Sequence, residues 1–298
     1  MTLDKQKGRA VLARTALVAT TIFWGSSFVV LKNTLDSISV IWLLALRFSL
    51  AAVFMCLFGI RSLKRLDKAH LLAGAALGFL LFAAYLLQTY GLVFTTPGKN
   101  AFLTATYCVL TPFLMRLIYK TRLNALHITA GFVCLIGMGF VSLGKDFSVG
   151  FGDLLTICCG LFYAMHIIIT GRVAGKLSIT MLSMVQFAVA GLLALGTAAI
   201  SEPFPRQLPV SAFAAIGYLA VFCTCLCFVF QTFGQKYTSA SSAAIIMTLE
   251  AVFGALCSAI FYHERMTFKL IIGFALIFGA VVLSEAQWKP RDRGLKQQ

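Results

Sequence analysis

Three ionisable side chains lie inside long apolar stretches of this sequence, where a charge is costly. Arg47 and Glu250 fall near the middle of their stretches, and His166 lies towards one end of a third. A charge at the centre of a bilayer costs about 2.5–3.5 kcal/mol on insertion scales, so each group needs a function or a partner. Glu250 could exchange a proton or bind an amine. It could equally be held in a permanent ion pair, for which Arg47 is a candidate partner, or be hydrogen-bonded to a neighbouring helix.

Each of these positions has a counterpart in the other half of the sequence. Arg47 corresponds to Gln186, so a polar donor occurs at the same depth twice. This suits a structural tether to backbone carbonyls as well as a counter-charge for a substrate. His166 corresponds to Ser27 and could be a packing residue, a proton relay or a substrate contact. Glu250 has no acidic counterpart, because the matching position is Thr111 or Tyr107, depending on where a gap is placed.

Neutral polar and aromatic residues also recur at matched positions. Gln88 pairs with Gln231 and Trp24 with Tyr163, while Asn100, Thr104 and Tyr107 share one helical face. These types are typical of a pocket for a small amphiphilic solute, although aromatic packing and helix–helix hydrogen bonds would need the same residues. Pro112 could kink its helix and act as a hinge. The predicted solute contacts are Trp24, Gln88, Asn100, Tyr107, Tyr163, His166, Gln231 and Glu250.

Composition excludes a soluble protein and indicates membrane-spanning helices. The 298 residues are 60% hydrophobic and 12% charged, against about 25% charged in soluble domains. A bilayer core needs about 20 apolar residues per helix, and backbone groups in lipid must be satisfied within the helix. The sequence therefore predicts an all-α polytopic membrane protein with ten transmembrane helices. The ten apolar stretches are residues 13–32, 39–59, 70–92, 99–118, 125–143, 152–171, 178–200, 211–235, 240–262 and 269–287.

The basic residues are distributed unevenly between the two sides that ten crossings would create. Most of the 25 Lys and Arg residues fall on the side that carries both termini. By the positive-inside rule, both termini are expected in the cytoplasm, with the protein in the cytoplasmic (inner) membrane. The basic residues lie at helix ends and not on one soluble face. The net charge of +15 therefore does not indicate binding to nucleic acid. The basic residues expected on the opposite side are Lys32, Lys99, Lys145, Arg206, Arg265 and Lys269.

No pattern of catalytic or metal-binding residues accompanies these helices. Most of the nine cysteines lie within apolar stretches, where they act as small packing residues, and no CxxC motif with a nearby histidine occurs. The four histidines are dispersed, and neither HExxH nor GxSxG is present. We therefore expect no enzyme, no cofactor and no metal site.

The sequence repeats itself at a near-constant offset. Phe23-Trp24-Gly25 aligns with Phe162-Tyr163-Ala164, and Gln88-Thr89-Tyr90-Gly91 aligns with Gln231-Thr232-Phe233-Gly234. Ten helices in two copies give five helices each, and an odd number inverts the second copy in the membrane. Inverted repeats are typical of alternating-access transporters. The predicted units are residues 1–144 and 150–287, followed by a basic cytoplasmic tail, residues 288–298.

These motifs together resemble the EamA-type transporters of the drug/metabolite transporter superfamily. The resemblance rests on Phe23-Trp24-Gly25-Ser26-Ser27-Phe28, Arg47-Phe48, Leu110-Thr111-Pro112, Leu249-Glu250 and His263-Glu264-Arg265. It covers nearly the whole chain, and it implies two inverted five-helix repeats around a central cavity. It also implies transport of small metabolites, often export of amino acids or related compounds. Two positions depart from the family pattern: Ala251 stands where Pro is frequent, and Thr121 where an acidic residue is expected.

We therefore expect a secondary transporter that works by alternating access on a small solute. Protons or an exchanged solute could be coupled to transport, with Glu250 or His166 as the coupling group. A facilitator or channel for a small neutral solute is the main alternative, and it would need a more continuous polar stripe than these residues provide. The lipid bilayer is the expected surrounding, and a monomer and a homodimer are both compatible with the small-residue motifs, since Gly74 and Gly78 could pack within or between chains.

Overall fold

The computed structural model describes residues 3–142, 150–205, 207–262 and 267–285. Over these residues the chain is all-α, which confirms the all-helical part of the predicted fold. The segment 145–149, the His263-Glu264-Arg265 motif and the tail 288–298 lie outside the described residues. The helices are α1 (Leu3–Thr34), α2 (Val40–Gly59), a 3-10 helix (Ile60–Arg65), α3 (Lys68–Val93), α4 (Pro97–Thr104), α5 (Tyr107–Tyr119), α6 (Ala125–Ser142), α7 (Phe151–Val173), α8 (Ile179–Ser201), α9 (Val210–Ala220), a π-helix (Val221–Leu226), α10 (Cys227–Tyr237), α11 (Ala240–Met247), α12 (Leu249–Tyr262) and α13 (Phe268–Glu285).

Eight helical segments are long and apolar enough to cross a bilayer, counting only the described residues. Two further apolar segments, Ala125–Phe140 and Ile271–Ser284, are shorter. The chain is thus a multi-pass membrane protein, and the count of ten crossings stays a prediction. The eight segments are Gly8–Thr34, Val40–Lys64, Lys68–Val93, Pro97–Tyr119, Phe151–Val173, Ile179–Ser201, Val210–Tyr237 and Ala240–Phe261.

Large apolar side chains cover the outside of the helix bundle. Phe58, Ile200 and Val210 are more than four-fifths exposed, whereas Phe48 and Phe187 are completely buried. Lipid tails solvate such side chains as well as a protein core does, so an apolar exterior is the expected surface for this environment.

Close helix packing depends on glycine at a few crossing points. A Cβ added to Gly78 of α3 would lie 2.6 Å from the backbone O of Gln186 in α8, and one added to Gly152 of α7 would lie 2.7 Å from the O of Gly91. A Cβ added to Gly74 would also meet α8, 2.5 Å from the Cβ of Val185. The motif formed by Gly74 and Gly78 therefore packs within the chain.

Two helical segments are interrupted at similar points. Between α4 and α5, Thr106 N donates to Leu103 O at 3.3 Å and Cys108 N to Ala105 O at 3.0 Å. Between α11 and α12, Thr248 N donates to Ile245 O at 3.2 Å. Such i to i−3 bonds tighten the helix and mark a break in its regular pattern. Pro112 lies inside α5, beyond the break, and its role as a hinge stays a prediction.

Candidate functional site

A cavity lies between the helices of both halves of the chain. It encloses about 500 Å³ of space not filled by protein atoms, including its opening. Its walls come from α1, α2, α3, α4, α5, α7, α10, α11 and α12. The lining residues are Trp24, Ser27, Phe28, Leu31, Arg47, Tyr85, Gln88, Thr104, Tyr107, Tyr163, Ile167, Gln231, Met247 and Glu250.

The structure brings most of the predicted contact residues together in this cavity. Asn100 and His166 are the two predicted contacts that do not line it, and neither Gln186 nor Pro112 does. The predicted contacts that do line the cavity are Trp24, Gln88, Tyr107, Tyr163, Gln231 and Glu250.

Arg47 extends from α2 into the cavity wall and is bound by neutral groups. Its Nε donates to Thr224 Oγ1 at 2.7 Å, and its Nη2 donates to Tyr85 OH at 3.3 Å and to the carbonyl of Cys223 at 3.5 Å. The guanidinium also stands 4.5 Å from the ring centroid of Tyr85, at cation–π distance. Nη1 makes no hydrogen bond with any residue that the structure describes, so this group retains donors for a further partner.

The π-helix between α9 and α10 supplies two of these partners. Its wider turn lets Thr224 Oγ1 donate back to Leu219 O at 2.8 Å while it accepts the bond from Arg47. The same turn leaves the carbonyl of Cys223 available to Arg47 Nη2 and to Trp24 Nε1, which donates to it at 2.9 Å. Single π-helical turns within α-helices are frequent at functional sites, because they re-aim backbone groups in this way.

Glu250 is bound by Tyr107 and not by Arg47. The Tyr107 OH donates to Glu250 Oε1 at 3.0 Å, and the Glu250 side chain is 3% exposed. Among the described residues, Arg47 and Glu250 form no ion pair, so of the two structural alternatives for Glu250 the structure shows the hydrogen bond to a neighbouring helix and not the ion pair with Arg47. The physical reason is that Thr224, Tyr85 and Cys223 hold the guanidinium at its own wall of the cavity.

The two matched glutamines differ in their bonding. Gln88 Nε2 donates to Thr104 Oγ1 at 3.1 Å, and its Oε1 accepts from Tyr163 OH at 3.0 Å. Gln231 lines the same cavity, and its buried Oε1 has no hydrogen-bond partner in the described part of the chain. The residue type is the same at both positions, but only the Gln88 side chain is hydrogen-bonded to other residues of the cavity wall.

Asn100 and His166 join helices outside the cavity. Asn100 Nδ2 donates to the carbonyl of Gln88 at 3.1 Å and to Thr156 Oγ1 at 2.8 Å, which links α3, α4 and α7. His166 Nε2 lies 3.1 Å from Gln186 Oε1, and its ring packs on Phe228 with centroids 5.5 Å apart. Each side chain is 1% exposed or less, in keeping with a structural role.

Sequence reasoning missed Tyr85, Thr224 and Met247. Tyr85 precedes Gln88 by three residues on α3, so its position on the same helical face was available as a signal. Thr224 belongs to the π-helix, which hydrophobic patterning does not reveal. Met247 ends α11 at the break before Thr248, and an apolar residue in an apolar stretch gives no signal of its own.

The arrangement supplies charged and neutral hydrogen-bonding groups that are suited to binding. The cavity offers one carboxylate, one guanidinium, amides and phenol rings. No group of three or more His, Cys, Asp or Glu side chains that could hold a metal occurs in residues 3–142, 150–205, 207–262 and 267–285.

Comparisons with known proteins agree with this description. The model of the EamA-like transporter family matches residues 12–143 and 150–285. An uncharacterized transporter of Archaeoglobus fulgidus is 31% identical over 285 residues, which cover 94% of this chain and 89% of the relative. A probable terminal-alkyne amino-acid exporter of Streptantibioticus cattleyicolor is 29% identical over 126 residues, which cover 42% of this chain and 40% of the relative.

A solved crystal structure shares the fold. It matches with a TM-score of 0.75 and 18% identity, and the match covers 92% of this chain and 96% of the other. The family match confirms the expectation of a membrane transporter and not an enzyme. This chain belongs to the EamA-like transporter family.

Proposed function

We propose that this protein is a secondary transporter that exports a small zwitterionic solute, an amino acid or a related amphiphilic compound, by alternating access. The observation that carries the proposal is that Arg47 and Glu250 line one cavity and are not paired with each other. A carboxylate and a guanidinium that share a cavity without neutralising each other are complementary to a solute with one ammonium and one carboxylate group.

The rest of the cavity suits the body of such a solute. Phe28, Leu31, Ile167 and Met247 provide apolar contacts for an aliphatic or aromatic side chain. The amino-acid exporter of Streptantibioticus cattleyicolor is a partial relative, and it supports this substrate class and the direction of transport.

Contacts between helix ends support ten crossings of the membrane. Two of these contacts lie at the two ends of α7. At its start, Asp153 Oδ2 lies 2.6 Å from Lys99 Nζ, and we call this end of the molecule the Asp153 side. Near its end, the Arg172 guanidinium lies 3.7 Å from the ring centroid of Tyr119, and we call this end the Tyr119 side. A helix rises about 1.5 Å per residue, so these two ends lie about 30 Å apart, the thickness of a bilayer core.

The position of α6 follows from these two sides. The preceding helix, α5, ends at Tyr119, and the following helix, α7, begins beside Asp153. This supports a change of sides between them, with α6 as the apolar helix that makes the crossing. The tenth crossing would be α13, which packs along α6: a Cβ added to Gly137 would lie 2.9 Å from Gly273 O.

Helix pairing supports two repeats related by inversion. In the repeat alignment, α3 pairs with α10 and α1 with α7. The contact of α3 with α7 is therefore the counterpart of the contact of α10 with α1, and both are extensive. The two breaks, between α4 and α5 and between α11 and α12, also correspond. Rocking of one unit, residues 1–144, against the other, residues 150–287, would expose the cavity to each side in turn.

The positive-inside rule then assigns the Tyr119 side, with both termini and most Lys and Arg residues, to the cytoplasm of the inner membrane. Use of Gly74 and Gly78 within the chain favours the monomer of the two oligomeric states considered. Glu250 is the proposed coupling group, because it lines the cavity and His166 does not.

Counterflow in proteoliposomes tests the proposal. Vesicles preloaded with unlabelled leucine are expected to accumulate labelled leucine transiently. Competition by isopentylamine or 4-methylpentanoate, which lack one of the two charges, is expected to be about tenfold weaker, because each analogue leaves one buried charge of the site unpaired. Equal competition by the amine alone would contradict recognition of a zwitterion. Equilibration without transient accumulation would contradict alternating access and favour a facilitator or channel.

A further inference from the structure

The two matched glutamines of the cavity are in unequal hydrogen-bonding states. Both polar ends of the Gln88 amide are used, by Thr104 and by Tyr163. Gln231 is 2% exposed, yet its side chain makes no hydrogen bond with any residue that the structure describes, and its Oε1 is fully buried without a donor. Buried polar groups in native proteins nearly always have a partner, so the missing donor needs an explanation.

Neighbours one turn away on α10 hold Gln231 in its orientation. Phe228 packs on Trp24 with ring centroids 5.4 Å apart, and Gln235 Nε2 donates to the carbonyl of Ile167 at 2.8 Å. Residues three or four apart lie on one helical face, so these contacts fix the face that carries Gln231. Because that face borders the cavity, a partner for the amide would come from the cavity itself.

We propose that Gln231 is a specificity-determining residue whose amide oxygen accepts a hydrogen bond from a donor group of the solute, whereas Gln88 only holds the cavity wall. The class of ligand is a solute that carries an ammonium or amide N–H. This inference rests on the proposed function, since it assigns one contact within the proposed solute site. It separates two residues that the sequence presents as equivalent.

The test compares Gln231→Met with its counterpart, Gln88→Met. Methionine has a similar shape to glutamine and makes no comparable hydrogen bond. Gln231→Met breaks no bond within the protein, so its melting temperature is expected to equal or exceed that of the wild type, while its KM for leucine in counterflow rises about tenfold. Gln88→Met loses the bonds to Thr104 and Tyr163 and is expected to melt several degrees lower.

Failure of the inference is distinct from failure of the proposed function. Wild-type transport with a Gln231→Met KM within twofold of the wild type would overturn the assignment of Gln231, as would a Gln231→Met melting temperature lowered as much as that of Gln88→Met. A wild-type protein that transports no amino acid would overturn the proposed function. In that case the inference is tested by the rise in melting temperature that isopentylamine or acetamide causes in the wild type. Loss of this rise in Gln231→Met supports the inference. A rise that Gln231→Met retains, or no rise in the wild type, overturns it.

Discussion

The single hydrogen bond from Tyr107 positions the Glu250 carboxylate and leaves its second oxygen available for binding. The Tyr107 OH donates to Oε1 at 3.0 Å, while Oε2 makes no hydrogen bond with a residue in the described part of the chain. A carboxylate with one fixed oxygen and one free oxygen keeps its position and retains an acceptor for an ammonium group or a proton. Its burial makes the charged form costly, which is the condition under which a proton or a cationic solute is bound.

Substitution of Glu250 tests this role directly. In Glu250→Gln, the amide oxygen still accepts the bond from Tyr107, so we expect the fold and the melting temperature to be retained. The charge is lost, so we expect leucine counterflow to fall about tenfold or more and its dependence on a pH gradient to disappear. Tyr107→Phe is the reciprocal control, because it keeps the charge of Glu250 and removes the hydrogen bond that Glu250→Gln retains. Counterflow by Glu250→Gln at the wild-type rate, with unchanged pH dependence, would contradict the proposed coupling.

Arg47 depends on a partner that the sequence did not reveal. In Thr224→Val, the Nε of Arg47 loses its acceptor, and a buried donor left without a partner costs about 1–3 kcal/mol. We expect a lower melting temperature in detergent and a raised KM for leucine. Thr197→Val is the control, because Thr197 Oγ1 donates only locally, to Leu193 O at 2.8 Å in α8. Equal changes in melting temperature and in KM for the two substitutions would show that loss of the bond to Arg47 has no cost of its own.

At this scale the sequence identified residue types and not their bonding states. Arg47 and Glu250 stood out because charges are rare in apolar stretches, and both line the cavity. Their environments depend on helices more than a hundred residues away, such as the turn that contains Thr224. His166 was also a predicted solute contact, yet its partner Gln186 holds it outside the cavity. Spacing along one helix cannot decide which neighbour a side chain meets.

Among the helices, hydrophobic runs predicted segments well and their irregularities poorly. The predicted stretch 152–171 matches α7, Phe151–Val173, within two residues at each end. The stretch 211–235 covers α9, the π-helix and α10 without any sign of the change in turn. Hydropathy reports whether a residue suits lipid, and a break that stays apolar on both sides leaves that property unchanged.

The close crossing of α3 and α8 predicts that position 78 tolerates only glycine. In Gly78→Ala, the new Cβ would meet Gln186 O at 2.6 Å and Val189 Cβ at 2.8 Å, so the helices must move apart. We expect a loss of about 1–3 kcal/mol in stability, as for other overpacked sites. Gly196→Ala in α8 is the control, because its Cβ would meet nothing within 4 Å. A melting temperature of Gly78→Ala no lower than that of Gly196→Ala would contradict this packing.

An ion pair joins the starts of α4 and α7 across the two halves. Lys99 Nζ lies 2.6 Å from Asp153 Oδ2, and Asp153 also accepts hydrogen bonds from Thr95 Oγ1 at 3.2 Å and Gly150 N at 2.8 Å. The Lys99 side chain is 21% exposed, so solvent screens part of the attraction, and we expect a coupling of about 1–2 kcal/mol. A double-mutant cycle with Lys99→Gln and Asp153→Asn measures it through thermal unfolding. A coupling near zero would show that the pair does not hold the halves together.

For the whole molecule, the decisive question is whether α6 crosses the membrane. Eight segments satisfy length and hydropathy criteria, and α6 is one of the two shorter ones. Ten crossings place the two ends of α6 on opposite sides, and only then does each half contain an odd number of helices and become inverted. Eight crossings without α6 and α13 would give four helices in each half, and the second half would repeat the first in the same orientation.

Alkaline phosphatase fusions on the two sides of α6 distinguish these topologies, because the enzyme is active only outside the cytoplasm. We expect a fusion after Asn124 to be inactive and a fusion after Gly150 to be active, since the positive-inside rule assigns the Tyr119 side to the cytoplasm. A second pair of fusions, after Leu66 and after Thr95, lies just outside the two ends of α3. Because α3 is a long helix, this pair gives the phosphatase activity to be expected on each side of the membrane. If the Asn124 and Gly150 fusions behave alike, α6 does not cross, and the inverted repeat and the alternating-access proposal built on it fail together.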